Sequence, residues 1–438
     1  MMKTTLPAAA LGKPATTIGY GYDHRDSLVS VTDPRKLTTR YTVDGFGQLV
    51  RLSSPDTATS LFQFDDAGNL VSDRDRRGVT TGYRYDAARR VANSGASTFE
   101  YGKGGSSAAG RLTAMNDESG STSFTYDGYG RLHGQLQTVG TGITAKRFPL
   151  AYIYGTSGAG TGNVTSMTYP SGNRIDITYG DNGQAISLAL IAPTATMPTT
   201  ILANIQYTSF GAVKSWNWGD PALSNPYKRE FDANGKLKNY PLGAIGSNGT
   251  LRTLHYDAAD RIKSIVHSGA RNAVRLDQSY TYDDLDRLTR VEGGSVSQAF
   301  DYDANGNRIQ ARFGAGTYAN AIQSTSNRLM STTGPVPAKT NTYDSAGNLS
   351  SDGTTKYTFG TNGRLASVMV AGVTTRYRYN GFGERIEKAG ASGSVTYYVY
   401  DPAGHLVGEY DQAGQSLKRM LVPTIVKLPS KLAITILL

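Results

Sequence analysis

A chain of 438 residues exceeds one ordinary compact core, and at ~150 residues per domain it has the length of about three domains or of one long repeat array. It holds no Cys, which excludes disulfide scaffolds, thiolate zinc sites, iron–sulfur clusters and cysteine nucleophiles, while 51 Gly, 28 Tyr and a charged fraction of 18% point to many turns and half-buried rings rather than charge-driven disorder. The net charge of +10 comes from Lys and Arg spread along the whole chain, which reads as a solvated β-surface with no nucleic-acid stripe, and no stretch reaches the ~18 apolar residues of a membrane span.

Residues 1–17 read as an N-terminal lead-in whose apolar run is too short for a convincing signal peptide. A repeat of the form aromatic-Asp-x-x-Gly-x-apolar then runs through residues 18–417. Fifteen copies place their aromatic slot at Tyr22, Val43 (the one exception), Phe64, Tyr85, Tyr126, Tyr179, Tyr207, Phe231, Tyr256, Tyr282, Tyr302, Tyr343, Phe359, Tyr379 and Tyr400. The steps 22 to 43, 43 to 64, 64 to 85 and 379 to 400 are 21 residues each. Those from 85 to 126 and from 302 to 343 are 41, close to two periods with a degraded copy inside. Between 179 and 282 the steps lengthen to 24–28, which calls for longer loops there.

Each slot has a physical reason. Asp follows the aromatic in eleven of fifteen copies, and its carboxylate can accept backbone N–H groups ahead of it to fix a tight turn. Gly comes three residues later in eleven copies, where the chain is expected to need φ > 0. Three of the exceptions, Asp26, Asp260 and Asp286, are of a residue type that tolerates that region, and Arg89 is the fourth. The turn residues singled out are Tyr85 and Asp86; Tyr126, Asp127 and Gly130; Tyr256 and Asp257; Tyr282 and Asp283; Tyr302, Asp303 and Gly306; Tyr343, Asp344 and Gly347; Tyr400, Asp401 and Gly404.

Aromatic pairs at i, i+2, such as Phe62/Phe64, Tyr83/Tyr85, Tyr280/Tyr282 and Tyr377/Tyr379, predict strands with one aromatic face. A second turn signal lies about seven residues upstream, as in DRRG at 75–78 and DESG at 117–120. One repeat is therefore strand, turn, strand, turn, and the fold class is all-β: a β-hairpin array that curls into a curved sheet or a partial hollow shell to hide its aromatic face and its edges.

The unit Y-D-x-x-G-R-L with an upstream T-x-Y-x-Y-D, seen in TTGYRYDAARRV, TYDGYGRL, YDAADRI, TYDDLDRL, YDANGNRI, YDSAGNL and TTRYRYNGFGERI, resembles the RHS/YD-repeat family. The resemblance covers residues 18–417, more weakly around 135–230. It implies a β-strip that closes into a shell, as in bacterial polymorphic toxins and animal teneurins, where the toxins' shell encloses a C-terminal effector. The pattern stops at Met420. The apolar stretch 418–438 lacks Gly, Asp and Tyr beyond that point, and the core and effector of relatives do not follow. It reads as a truncated or frame-shifted end, or as one piece of a split protein. Asp401-Pro402-Ala403-Gly404 matches the family's D-P-x-G self-cleavage letters but falls in a repeat slot and reads as a turn.

Other chemistry is weighed and declined. Asp301-Tyr302-Asp303-Ala304-Asn305-Gly306 opens like a calcium loop, but Arg312 stands where a bidentate Glu is needed. Gly105 to Gly110 fails as a P-loop, with Arg111 and Leu112 in place of Lys and Ser/Thr. No catalytic, cofactor-binding or metal residue is assigned. The expected role is a structural shell segment that encapsulates or displays a toxin or effector in interbacterial competition, secreted or at the bacterial surface. Its expected partners are the missing core or toxin domain or a neighbouring shell segment. One alternative is a surface adhesin or carbohydrate-binding module, with Tyr rings stacking on sugars; Trp216 and Trp218, at i, i+2, read rather as core. The other is a non-functional truncated remnant.

Overall fold

The computed structural model describes residues 2–9, 15–219, 222, 226–243, 249–270, 272–294 and 296–419; the apolar tail 420–438 lies outside the described residues. Among the described residues the chain is almost all antiparallel β. The only helical pieces among the described residues are three short 3-10 segments, Gly142–Thr144, Gly158–Gly160 and Ala273–Leu276, and no helix there is long and apolar enough to cross a membrane.

The described residues form two compact units, one within 1–90 and 252–374 and the other within 91–251 and 375–419. In the first, strands follow one another in chain order, each antiparallel to the next. One ladder runs from Met2–Ala8 and Ala15–Tyr22 through Leu28–Thr32, Thr38–Val43, Leu49–Ser54, Ala58–Phe64 and Leu70–Arg74 to Thr80–Tyr85. A second runs from Ile262–Ser268 and Gln278–Tyr282 through Leu288–Gly293, Val296–Tyr302, Arg308–Phe313 and Gly316–Ile322 to Leu329–Thr333 and Lys339–Thr340. Alternation governs the strands: in Gln278–Tyr282, Tyr280 and Tyr282 are half-buried on one face and Thr281 is exposed on the other. Few side chains here are fully buried; Val291 and Ala311 are the main apolar ones.

The second unit has the same sequential pairing, from Val91–Ser94 to Tyr227–Lys228 and again from 376 to Arg419. It differs in having a dense core. Phe148, Leu150, Met167, Ile175 and Ile177 pack against Ile386, Val399, Val407 and Tyr410. The Phe148 ring lies 5.4 Å from that of Tyr397 and 5.1 Å from that of Tyr410. Two buried glutamines cross the layer: Gln135 Nε2 donates to the Tyr400 carbonyl at 2.9 Å and Gln137 Nε2 to that of Tyr398 at 3.0 Å. A buried amide nitrogen that reaches a backbone carbonyl of the facing layer fixes the register of the two layers.

Candidate functional site: the tyrosine–aspartate turn

The repeated turn gathers specific side-chain chemistry at regular intervals along the chain. At Asp127 the backbone closes first: Asp127 N–H donates to Arg131 O, and Gly130 N–H to Asp127 O, both at 2.9 Å. This is a short hairpin loop whose last residue takes positive φ, and Gly130 has φ +75°. The Asp127 carboxylate then fills the turn. Oδ1 accepts the N–H groups of Tyr129 and Arg131 at 2.9 Å each, and Oδ2 accepts Arg131 Nε at 2.7 Å.

The same set recurs. Asp86 Oδ1 accepts Ala88 and Arg90 N–H with Arg90 Nε on Oδ2. Asp257 and Asp283 repeat it with Arg261 and Arg287. At Asp303 and Asp344 the partners on Oδ2 are Asn307 and Asn348, and at Asp401 the His405 ring stands 3.1 Å from Oδ2. Gly306, Gly347 and Gly404 have φ of +86°, +88° and +81°, and the non-glycine residues Asp26, Arg89, Asp260 and Asp286 occupy the same region at +59° to +64°. These bonds act on the carboxylates: the Arg90 side chain and N–H hold Asp86 below the ordinary Asp value, and the Arg261 N–H and side chain do so for Asp257.

At five of these turns the tyrosine before the aspartate ties its hairpin to an earlier one. Tyr85 OH donates to Leu70 O at 3.0 Å, Tyr126 OH to Leu112 O at 2.7 Å, Tyr282 OH to Ile262 O at 2.9 Å, Tyr302 OH to Leu288 O at 2.8 Å and Tyr343 OH to Leu329 O at 2.7 Å. The acceptor is each time a carbonyl at the start of an earlier strand. A half-buried phenol needs a partner, and the carbonyl supplies it. Burial raises the pKa of Tyr126, Tyr282 and Tyr302. Tyr256 closes the strand Thr250–Tyr256 ahead of its turn, and burial raises the Tyr400 pKa.

Arginine completes the link, a role the sequence reading left unassigned. The Arg131 guanidinium lies 4.3 Å from the Tyr154 ring centroid, Arg261 4.7 Å from Tyr282 and Arg287 4.9 Å from Tyr302. Arg287 also donates Nη1 to the Asp303 carbonyl at 3.0 Å. One guanidinium thus joins its own aspartate to the next tyrosine, combining an ion pair with a cation–π contact. Its signal was visible as the recurring Arg directly after the turn glycine slot.

Within the first unit these turns also meet across the chain. Arg35 donates to Ser326 O at 2.7 Å and Gln323 O at 2.8 Å, and faces Asp303 Oδ2 at 3.3 Å. Asn305 Nδ2 donates to Asp33 Oδ2 at 2.5 Å, and Asn327 N–H to Asp56 Oδ1 at 2.6 Å. The residues that imitate a calcium loop are thus engaged by the Arg35 cation and by asparagine amides. Among the described residues no group of three or more His, Cys, Asp or Glu is arranged to hold a metal. Trp216 is 2% exposed and stacks on Tyr227 at 4.4 Å, whereas Trp218 is 44% exposed. The singled-out residues are spread along the hairpins and do not converge on one pocket.

Comparison with known proteins matches this arrangement. The family model described as Teneurin YD-shell matches residues 227–418, and that of the RHS repeat matches residues 64–102 and 107–143. No curated protein matches the chain. The crystal structure of TcdB2-TccC3-TEV is similar at TM-score 0.73 and 15% identity, over 95% of this chain and 27% of that one. A variant of the Photorhabdus luminescens Tc holotoxin pore is similar at 0.66 and 13%, over 94% and 26%. The chain spans about a quarter of the length of these structures, and at such identity the likeness is one of fold.

Proposed function

The chain belongs to the RHS/YD-repeat family, and on that premise we propose that it is a wall segment of a shell that encloses or displays a toxin or effector domain in competition between bacteria. The observation that carries the reading is the recurrence of latched hairpins: the hydroxyls of Tyr282 and Tyr302 are bonded to the strand before, and Arg261 and Arg287 reach forward to the rings of Tyr282 and Tyr302. Such hairpins build long antiparallel ladders whose turns are fixed by their own side chains, which suits a container. The role is that of a scaffold, with no catalytic step assigned. Its partners would be a core or toxin domain, or a further shell segment, and its place of action outside the bacterial cell.

Limited proteolysis of the natural polypeptide, purified with whatever accompanies it and read by mass spectrometry, tests this. A non-repeat segment should resist protease while the repeats are folded and be cut once denaturant opens them. Equal cleavage of all non-repeat segments before and after denaturation contradicts the proposal.

A further inference from the structure

The face opposite the tyrosines differs between the two long ladders of the first unit. In the second ladder its arginines are neutralised: Arg290 pairs with Glu292 at 2.6 Å and Arg312 with Asp301 at 3.5 Å. In the first ladder the corresponding face carries Arg40, Arg51, Arg74 and Arg84, all exposed. Register fixes them to one side. Arg40 lies opposite Ser53, Arg51 lies between Thr42 and Leu61, Leu61 lies opposite Arg74, and Arg84 is two residues from Gly82, which faces Ser72. No Asp or Glu shares that face on these strands. Asp73, the acidic residue of strand Leu70–Arg74, points to the other side and accepts Tyr83 OH at 2.6 Å. None of the four arginines has an ion pair among the described residues.

We propose that this face, from strand Thr38–Val43 to Thr80–Tyr85, is a docking surface for an acidic polypeptide. Uncompensated like charges on one exposed sheet face repel one another and gain most from a partner of opposite sign. The chemistry selects among anionic partners. The face holds arginine and no lysine, and the guanidinium fork matches carboxylates in pairs and is weakly hydrated. Leu61, 44% exposed, sits between Arg51 and Arg74, which lie two strands and so ~9.5 Å apart. An apolar centre with charges around it is the anatomy of a protein interface. The aromatic rings of the ladder, Tyr41, Phe62, Phe64, Tyr83 and Tyr85, all lie on the opposite face, so none is offered for stacking single-stranded bases.

The surface is tested on the full chain with three labelled probes: a random Glu/Leu copolymer, an oligothymidylate and phosphatidylserine vesicles. The copolymer should bind most tightly, and its affinity should fall with salt. The variant carrying Arg40→Gln, Arg51→Gln, Arg74→Gln and Arg84→Gln should lose about tenfold or more, while Arg290→Gln with Arg312→Gln loses none. Leu61→Ser should weaken the copolymer but not a poly-glutamate of equal length. Unchanged circular dichroism of the four-arginine variant separates loss of the surface from loss of the fold. No copolymer binding, equal loss in both arginine variants, or tighter binding of the oligothymidylate or the vesicles would overturn the proposal. The outcome is independent of whether the wall encloses a cargo.

Discussion

Gly347 and Gly306 occupy the same slot with nearly the same φ, +88° and +86°, yet their surroundings differ. A Cβ at Gly306 would meet open space, whereas one at Gly347 would overlap the Asp56 carbonyl oxygen. Gly306→Ala should therefore cost only the backbone strain, about 1–2 kcal/mol, and Gly347→Ala clearly more. Arg89 holds the slot at φ +59° with a full side chain, so Arg89→Gly should be stabilising by up to about 1 kcal/mol as the strain is relieved. Thermal melts of the three variants check the order; a Gly306→Ala penalty equal to that of Gly347→Ala would refute the role given to the Asp56 contact. Much at this scale was legible, because Asp-x-x-Gly states its own hydrogen bonds. The Asp56 contact was not, since a close approach between residues 291 positions apart leaves no local trace in the chain.

At the scale of the hairpin, the unit is a tyrosine, the carbonyl it caps and the arginine above its ring. Tyr302→Phe removes only the hydroxyl on Leu288 O and should cost about 0.5–1.5 kcal/mol, while Tyr302→Ala also empties the packed ring site and should cost about 3 kcal/mol or more. A double-mutant cycle of Arg287→Ala with Tyr302→Ala should give a coupling of about 0.5–1 kcal/mol, measured by chemical denaturation; additive effects would show that the stacking contributes nothing. Period-two tyrosines made these strands readable. Further copies of the junction were hidden. Tyr101 donates its hydroxyl to Val91 O and Tyr154 to Leu132 O, and at Ile322 the ladder shows the same register shift as at the tyrosines. There the four-residue turn gives way to longer loops, closed by Gly102 N–H on Arg111 O, Gly155 N–H on Asn163 O and Gln323 N–H on Arg328 O. The 41-residue steps marked two of these places, but their turn letters were gone.

Across the whole molecule the many like turns should give it a characteristic pH profile. Asp86 and Asp257 have pKa values lowered in the fold from an ordinary 3.8. Their contribution is complete above that value and is lost as the pH falls through it and below. Tyr207, pushed by burial from 10.0 up to about 12, favours the folded state fully below 10 and loses that preference as the pH rises from 10 toward 12. Denaturation midpoints followed against pH should be flat between these limits and fall on both sides; a steep slope near neutrality would contradict the assignment of the turns as the titrating elements. The all-β class and the sequential order of the hairpins were legible because repeats constrain neighbours. The division into two units, each joining early and late parts of the chain, was not, since it depends on contacts such as Arg35 with Gln323 that no period encodes. The central claim is that, within each unit, successive hairpins are latched to one another through their tyrosine–aspartate turns. A cryo-electron microscopy map of the natural polypeptide, at a resolution that shows ring orientation, tests it most directly. The account predicts strands paired in chain order, with the hydroxyls of Tyr282, Tyr302 and Tyr343 at the carbonyls of Ile262, Leu288 and Leu329; hairpins paired out of order, or those rings turned out to solvent, would contradict it.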